Sequence, residues 1–404
     1  MTSENNSLLD DKLLQQQVIV LVGSGGVGKT TASAAIGLHA ARQGRKVLVL
    51  TIDPARRLAD ALGLEAIGNA ETEVALTHED LPAPADGGSL HAMMLDTEGA
   101  FDELVSRLAT TPESAKAVQE NRIYRHIIDS LAGAQEYLAG EKIFDAASSG
   151  RYDLVVLDTP PTANALDFLD ASRRLVRLLD DRVYRWLLPT VSKKDGKRRA
   201  GLVDRLLRAP SNVAKAILAR VFGERFVGDL EEFFLVMHGI HREVRRRSED
   251  VQRLLKDPAK TSFLLVTAPI PTVTDNAVFF HSQIRERGYP FAGFILNRVH
   301  PAPADAALAL SAGAIADGLA TSLERAGSAD GSTDEPLTPS ALAQALHENV
   351  QRMADLAARD RETIAELRGR MAATAPMTLV PRLSGAIHDL PGLASVGAHI
   401  FSVD

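Results

Sequence analysis

The sequence contains no cysteine among its 404 residues. A disulfide framework, a thiol nucleophile and a cysteine-ligated metal centre are therefore all excluded. The sequence also lacks an apolar run of about 18 or more residues, the length that a membrane-spanning helix requires, so we expect no transmembrane segment. The polar and acidic residues 1–17 contain neither the basic segment nor the apolar segment of a signal peptide, and we expect a cytoplasmic protein.

Positively charged residues are in the minority, since 45 lysines and arginines stand against 52 aspartates and glutamates, a formal net charge of −7. Such a molecule as a whole is not suited to binding nucleic acid, and we expect no nucleic-acid partner. The apolar share of 45% is ordinary and is sufficient for a large core. The length allows one large α/β domain with insertions or two domains, and no internal repeat is visible.

A glycine-rich loop follows the first apolar segment, residues 18–22, in the stretch VIVLVGSGGVGKTT. Its spacing, a glycine, four residues and then Gly28-Lys29-Thr30, is that of a phosphate-binding P-loop between a strand and a helix. Glycines let backbone N–H groups turn towards phosphate oxygens, and the helix that begins near Lys29 adds the positive end of its dipole. Lys29 would bind the β- and γ-phosphates, and Thr30 would be a ligand of Mg²⁺. The predicted nucleotide-binding residues of this loop are Gly23, Ser24, Gly25, Gly26, Val27, Gly28, Lys29, Thr30 and Thr31.

Apolar strand-like segments alternate with helical segments along the rest of the chain. Because buried parallel strands are continuously apolar and helices connect them, this order predicts an α/β fold: a mostly parallel P-loop NTPase sheet flanked by helices. The predicted strands are 18–22, 46–51, 74–77, 90–95, 154–157, 263–267, 291–296 and a short strand around 379–380. Outside two long helical blocks, the predicted helices are 30–43, a short helix ending at 62, 273–287, a long helix from about 342 to 372, and 390–401.

The whole chain, 1–404, is expected to form one P-loop domain with an inserted helical subdomain. The strand-like segments place the core at about 16–97, 150–182, 260–302 and 374–404. The helical subdomain is predicted at about 98–149 and 183–257, which carry too few strand signals to belong to the sheet. Residues 326–339 are rich in Gly, Ser, Asp and Pro, and this composition predicts a flexible loop.

Two aspartates follow predicted strands and would lie near the P-loop, because ligands of such sheets bind at the carboxyl ends of strands. Asp158 comes after four apolar residues, the pattern of a carboxylate that orients Mg²⁺; the alternative is an aspartate that only caps its strand. Asp53 lies just after the second strand and before Pro54. It would orient or deprotonate an attacking water, or else act as the N-cap of the following helix.

Four motifs carry a resemblance to a known family: GSGGVGKTT, TIDPARRLADALGLE, VVLDTPPTANALDFLD and FILNRVHP. In this order and spacing they resemble the ATPases that include the arsenical-pump ATPase and the ATPase that targets tail-anchored proteins. The segments GAQEYLAGEKIFDAA and LVPRLSGAIHDLPGLASVGAHIF also resemble that family. The resemblance covers the nucleotide-binding core, about half of the chain. It implies a parallel-rich sheet that works as a nucleotide-sandwich dimer, opening and closing with ATP.

The resemblance also implies roles for individual residues, with ATP or ADP and Mg²⁺ as cofactors. Lys29 and Thr30 would bind phosphate and Mg²⁺. Asp53, in the first switch motif DPA, would position the attacking water, so that Asp53 and Lys29 are the catalytic residues. Asp158, in the second switch motif DTPP, would be the carboxylate linked to Mg²⁺. Asn297, after the FILNRV strand, would contact adenine.

Two departures from the family pattern bear on function. The family carries a signature lysine at the second loop position, which reaches the partner's nucleotide across the dimer, but this chain has Ser24 there. Hydrolysis would therefore be slow, or a different partner subunit would supply the lysine. The metalloid site and the zinc clamp of the family both use cysteines, so the cysteine-free chain is not expected to export arsenite or to carry that clamp.

Large apolar side chains cluster in the second helical block, within 175–188, 214–226 and 230–240. They are either the ordinary core of a helical subdomain or, as the resemblance implies, an apolar groove for a client helix. The basic residues at 193–199 are expected in a solvated loop, with an anionic lipid or partner surface as the alternative, and residues 245–247 are expected on a solvated helix face.

Three functions remain open at this stage. The first is a dimeric Mg²⁺-dependent ATPase that acts on a hydrophobic protein or a membrane-associated client. The second is a positioning or assembly factor with a peripheral membrane contact, against which the apolar segment 390–401 counts because it lacks a basic polar face. The third is a nucleotide-binding subunit that forms a heterodimer, rather than a homodimer, with a lysine-bearing paralogous ATPase.

Overall fold

The computed structural model describes residues 15–53, 56–108, 111–120, 134–160, 243–326, 338–371, 375–383 and 387–401, with the single residues 13, 220, 223, 224 and 227. Several sequence predictions lie outside these residues. They are the basic loop at 193–199, almost all of the three apolar clusters between 175 and 240, and most of the predicted flexible loop.

Eight strands form one sheet in the order β3-β4-β2-β5-β1-β6-β7-β8. Every neighbouring pair is parallel except β3 and β4, which are antiparallel. The strands are β1 (Val18–Gly23), β2 (Lys46–Thr51), β3 (Thr72–Val74), β4 (Ser89–Met94), β5 (Leu154–Asp158), β6 (Thr261–Thr267), β7 (Phe291–Val299) and β8 (Met377–Pro381). The predicted α/β fold with a mostly parallel P-loop NTPase sheet is therefore confirmed.

Helices connect these strands and flank the sheet. They are α1 (Lys29–Arg42), α2 (Arg57–Leu62), α3 (Thr97–Leu108), α4 (Pro112–Glu120), α5 (Ala134–Ser148), α6 (243–256), α7 (Pro271–Glu286), α8 (Asp305–Leu308), α9 (Ala312–Ala326), α10 (Pro339–Arg370) and α11 (Leu390–Phe401). Helices α9 and α10 pack against each other, and α11 packs against α1 and β8.

The core lies in two layers, one on each face of the sheet. Successive side chains of a strand point to opposite faces, so Val20 belongs to one layer and its neighbour Leu21 belongs to the other. The first layer includes residues of α3, α5, α6 and α7, and the second includes residues of α1, α2 and α11. Because both faces are covered, the central strands are buried along their whole length, as their apolar sequences require.

Three local predictions differ from the structure. The strand predicted at 74–77 is instead the short β3, which ends at Val74 and pairs antiparallel with β4 at the edge of the sheet. Asn297 lies within β7, which extends to Val299, and not after the strand. The helices α8 and α9 lie in a segment for which no element was predicted.

Arg247 is also placed differently from its prediction. Its side chain is 12% exposed and pairs with Glu141 and Asp145 of α5, whereas Arg245 and Arg246 are solvent-exposed as predicted. Within the described residues, α3, α5 and α6 pack against one face of the sheet. The exact bounds of a helical subdomain remain a prediction.

Candidate nucleotide site

The P-loop follows β1 at the carboxyl end of the sheet, and two of its glycines are required by close contacts. Gly23 has φ 151°, and a Cβ there would lie 2.1 Å from the carbonyl oxygen of Val266 on the neighbouring strand β6. Gly28 has φ 93°, and a Cβ there would lie 2.2 Å from Nδ2 of Asn297. A side chain at either position would therefore deform the loop, which explains the predicted glycine pattern physically.

Lys29 begins α1, and its ammonium group is held over the loop. Its Nζ donates hydrogen bonds to the carbonyl oxygens of Gly23, at 2.9 Å, and Ser24, at 3.0 Å. The residue is buried, and burial lowers the pKa of Lys29, although the carboxylates of Asp158 and Asp53 oppose that shift. A buried cation beside a glycine-rich loop is suited to binding phosphate oxygens.

Asp158 ends β5 and is in contact with the P-loop helix. Its Oδ2 accepts a hydrogen bond from the hydroxyl of Thr30 at 2.7 Å and another from the hydroxyl of Thr51 at 3.1 Å. Burial raises the pKa of Asp158 to about 6, while the Thr30 bond, the charge of Lys29 and the Thr51 bond act in the opposite direction. The carboxylate thus lies at the junction of β5, β2 and α1.

The residues present fit a magnesium ion. The second oxygen of Asp158, Oδ1, is buried and has no hydrogen-bond partner among the described residues. A buried carboxylate oxygen without a partner, next to the hydroxyl of Thr30, is the hard oxygen donor set that Mg²⁺ prefers. The two residues that would hold the ion are therefore Thr30 and Asp158.

Asp53 lies just beyond the end of β2. Its backbone N–H donates to the hydroxyl of Thr51 at 3.2 Å, and its Oδ2 accepts from the guanidinium of Arg57 at 3.2 Å. The preceding carbonyl, of Ile52, accepts a hydrogen bond from the side chain of Gln135 on α5 at 2.8 Å. The loop that carries Asp53 is therefore joined to the adjacent strand β5 through Thr51 and to helix α5 through Gln135.

A cleft of about 260 Å³ opens above the P-loop, and we call it the nucleotide cleft. It is lined by Gly26, Gly28, Lys29, Thr30, Thr31, Asp53, Arg57, Asp60, Ala61, Thr159, Arg298, Ile387 and His388. Of the other predicted loop residues, Gly25 is exposed and Val27 is buried in the core layer of α1. The structure therefore brings Lys29, Thr30 and Asp53 to one cleft, with Asp158 bonded to Thr30 beneath it.

Several lining residues were missed by sequence reasoning. The contact of Arg57 with Asp53 was predictable, because Arg57 lies four residues later at the start of the following helix and side chains at this spacing are neighbours. Arg298 has φ 62°, the one positive φ of a non-glycine residue in the described ranges, at a register shift between β7 and β8. Such a conformation carries no sequence signal. Ile387 and His388 lie just before α11, and nothing in their sequence pointed to the cleft.

Asn297 is close to the P-loop but does not line the cleft. Its Nδ2 donates to the carbonyl oxygen of Val27 at 2.8 Å, and its Oδ1 accepts from the backbone N–H of Arg298 at 2.9 Å. Both ends of this amide therefore bind protein groups and join β7 to the P-loop.

Ser24 is 8% exposed, and its hydroxyl is buried without a hydrogen-bond partner in the described part of the chain. A short neutral side chain at this position does not extend out of the loop. The second loop position therefore presents no cation to a neighbouring molecule.

The site combines a glycine-rich phosphate loop, a buried lysine, a threonine–aspartate pair and a further aspartate, all at the carboxyl ends of β1, β2 and β5. Together with the sheet order, this arrangement defines a P-loop nucleoside-triphosphatase fold. Residues 16–192 match the model of the family described as anion-transporting ATPases. In this segment, which is less than half of the chain, the sequence is similar to that family of ATPases.

Individual proteins show the same similarity. An "ATPase ASNA1 homolog" of Babesia bovis is 33% identical over 175 residues, 43% of this chain and 43% of the relative. A "Putative arsenical pump-driving ATPase 2" of Aquifex aeolicus is 31% identical over 41% of this chain and 52% of the relative. An "ATPase get3" of Aspergillus terreus is 29% identical over 40% of this chain and 44% of the relative. The chain thus matches about half of the length of these relatives.

In the part of the chain that the structure describes, no helix is both long enough and apolar enough to cross a membrane. Within those same residues, no group of three or more His, Asp or Glu side chains is placed to hold a metal ion.

Proposed function

We propose that the chain binds ATP with Mg²⁺ and hydrolyses it to ADP and phosphate. The observation that carries this proposal is the hydrogen bond from Thr30 to the buried Asp158, directly below a cleft that Lys29 and Asp53 line. A magnesium ion at Thr30 and Asp158 would neutralise charge on the phosphates. The similarity of residues 16–192 to a family of ATPases supports the same activity.

Each residue of the site has a proposed role that follows from its position. The P-loop N–H groups and Lys29 bind and orient the phosphates, and the in-line geometry that results lowers the barrier by pre-organisation. Asp53, held by Arg57 and by the bond of its N–H to Thr51, orients the attacking water and accepts its proton. The Asn297 amide holds β7 against the loop, and we propose that this segment forms the adenine side of the site.

Substitution of Lys29 tests the assignment of nucleotide binding. We expect Lys29→Ala to weaken binding of Mg²⁺-ATP by at least about tenfold, because a charge-assisted bond to phosphate is lost. The matched control is Lys260→Ala, which removes an exposed lysine outside the cleft. Calorimetric titration with ATP measures both variants. Equal affinity of wild type and Lys29→Ala would overturn the proposed site.

We further propose that two chains form a nucleotide-dependent dimer in the cytoplasm, and that its opening and closing acts on a hydrophobic protein or membrane-associated client. The family resemblance of the four motifs supports this finer proposal. Size-exclusion chromatography with light scattering, in ADP and in a non-hydrolysable ATP analogue, tests the dimer. A monomer in both nucleotides at high protein concentration would contradict it.

A second candidate function follows from Ser24. Because its buried hydroxyl presents no cation, the chain would be a nucleotide-binding subunit that needs a lysine-bearing paralogous ATPase for full hydrolysis. The double variant Ser24→Lys/Lys29→Ala offers such a lysine while its own nucleotide site is impaired. If a partner lysine is required, mixing this variant with wild type raises ATP turnover, whereas the matched single variant Lys29→Ala does not. Equal turnover in the two mixtures would contradict the second candidate.

A further inference from the structure

A second cleft lies at the opposite end of the strands from the nucleotide site. It has a volume of about 520 Å³, and we call it the basic cleft. It is bounded by the segments that lead into β6, β7 and β8, so it lies at their amino ends, whereas the P-loop lies at the carboxyl end of β1. The two clefts are therefore separated by the length of the strands.

The basic cleft carries positive charge that no lining carboxylate balances. Its charged lining residues are Lys256, at the end of α6, and Arg285, in the last turn of α7, and the lining includes no Asp or Glu. Neither cation forms an ion pair among the described residues, in contrast to the paired arginines Arg57, Arg151 and Arg247. In a chain of net charge −7, two unpaired cations in one concave site are a distinct feature.

Aromatic rings and prolines form most of the remaining lining of the cleft. The ammonium of Lys256 lies 5.3 Å from the ring centre of Tyr289, which orients this cation by a cation–π contact. His281 lies against the edge of Phe291, with ring centres 4.6 Å apart. Burial and the nearby charge of Arg285 lower the pKa of His281. The cleft therefore offers two cations and a neutral imidazole beside apolar ring surfaces.

We propose that the basic cleft binds a small phosphate monoester with an apolar or aromatic body. A phosphate monoester carries between one and two negative charges near pH 7 and three acceptor oxygens, which two cations and an imidazole can satisfy. A carboxylate would balance only one of the two cations. The volume lies within the usual range for small-molecule sites, and the aromatic and proline lining suits the apolar body of such a ligand.

Phenyl phosphate is the probe for this site, and its binding to the full chain is measured by calorimetric titration with the nucleotide cleft saturated with ADP. We expect one site per chain, with phenol, inorganic phosphate and benzoate each binding at least about tenfold more weakly. Lys256→Gln and Arg285→Gln should each weaken the binding of phenyl phosphate about tenfold, since each removes a charge-assisted bond. Arg359→Gln, an exposed arginine of α10 outside the cleft, is the matched control and should leave the affinity unchanged.

Two results would overturn the proposal. The first is that phenyl phosphate binds no more tightly than phenol. The second is that Arg285→Gln and Arg359→Gln lose the same amount of affinity for phenyl phosphate. The ADP affinity of the Lys256 and Arg285 variants should equal that of wild type, which shows that the fold is retained. Because binding should persist in Lys29→Ala, failure of the basic cleft and failure of the proposed ATPase are distinguishable.

Discussion

At the scale of single residues, the nucleotide site contains a buried carboxylate and glycines in the positive-φ conformation. Asp158 has one carboxylate oxygen bonded to two hydroxyls and a second, buried oxygen without a described partner. Gly28 leaves only enough room for the amide of Asn297. Each feature disfavours the isolated fold but suits phosphate and metal binding, which is common at functional sites.

Asp158 should make stability depend on pH in a defined direction. Burial raises its pKa from 3.8 to about 6, so the folded chain holds this proton more tightly than the unfolded chain. Stability from this group is therefore present at low pH and is lost as pH rises through about 6. We expect Asp158→Asn, in EDTA without nucleotide, to raise the free energy of unfolding by about 1–3 kcal/mol at pH 8, because no charge is buried.

Urea unfolding of both proteins at pH 8 and near pH 4 checks this expectation. The advantage of Asp158→Asn should shrink towards the lower pH, since the wild-type carboxyl is protonated there. The same variant should lose Mg²⁺-dependent ATP binding. An equal difference in stability at both pH values would show that Asp158 does not have the raised pKa.

A comparison of substitutions at Gly26 and Gly28 distinguishes the cost of backbone strain from the cost of steric overlap. Both have positive φ, but a Cβ at Gly26 meets nothing within 4 Å, whereas one at Gly28 meets Nδ2 of Asn297 at 2.2 Å. We expect Gly26→Ala to cost about 1 kcal/mol of unfolding free energy from strain alone and Gly28→Ala to cost about 2 kcal/mol or more. Thermal unfolding measures both, with Gly68→Ala, which has neither problem, as control. Equal costs at the two loop glycines would contradict the close approach of Asn297.

At the scale of secondary-structure elements, ion pairs around the buried Glu141 connect the helices of one face. Arg247 of α6 bonds to Glu141 and Asp145 of α5, and Arg107 of α3 bonds to Asp145 at 2.5 Å. Tyr137 donates to Glu141 at 2.8 Å, and burial raises the pKa of Glu141 against the opposing bond from Arg247. Helix α5 also binds the carbonyl of Ile52 through Gln135, so one helix contacts both this cluster and the loop of Asp53.

Loss of Arg247 should destabilise the fold strongly. Arg247→Met would leave Glu141 buried without its main cationic partner, and we expect a loss of about 3 kcal/mol in unfolding free energy. Arg246→Met removes the neighbouring arginine, whose side chain is 61% exposed, and should leave the free energy of unfolding almost unchanged. Urea unfolding measures both variants. Equal losses of unfolding free energy in Arg247→Met and Arg246→Met would contradict the burial of the Arg247–Glu141 ion pair.

The sequence predicted the elements whose signals are local and missed those that depend on packing. Continuous apolar runs located the central strands, and the glycine spacing located the P-loop, because both patterns follow from backbone geometry. The edge strand β3 was misplaced, since short antiparallel strands have weak patterns. The burial of Arg247 and the contact of Asn297 with Val27 depend on residues more than 100 positions away in the chain, and no local pattern encodes them.

At the scale of the whole molecule, the nucleotide cleft and the basic cleft lie at opposite ends of the strands, both formed by described residues. The nucleotide cleft contains both acidic and basic side chains, and the basic cleft contains only positive formal charge. The dimer that we propose would join two nucleotide clefts, with Ser24 at the position where the family carries its signature lysine. Turnover per chain should then rise with protein concentration, as chains associate, and level off when all are dimeric. Phosphate release measured across a dilution series checks this, and constant turnover per chain would contradict a dimeric active form.

The central claim, that this chain hydrolyses ATP with Asp53 as the group that positions water, is tested most directly by phosphate release from Mg²⁺-ATP. We expect Asp53→Asn to bind Mg²⁺-ATP as wild type does and to release phosphate at least about 100-fold more slowly, because proton acceptance is lost. Asp317→Asn, at an exposed position of α9, should retain the wild-type rate. Phosphate release by Asp53→Asn at the wild-type rate, or no release by the wild-type chain, would contradict the account.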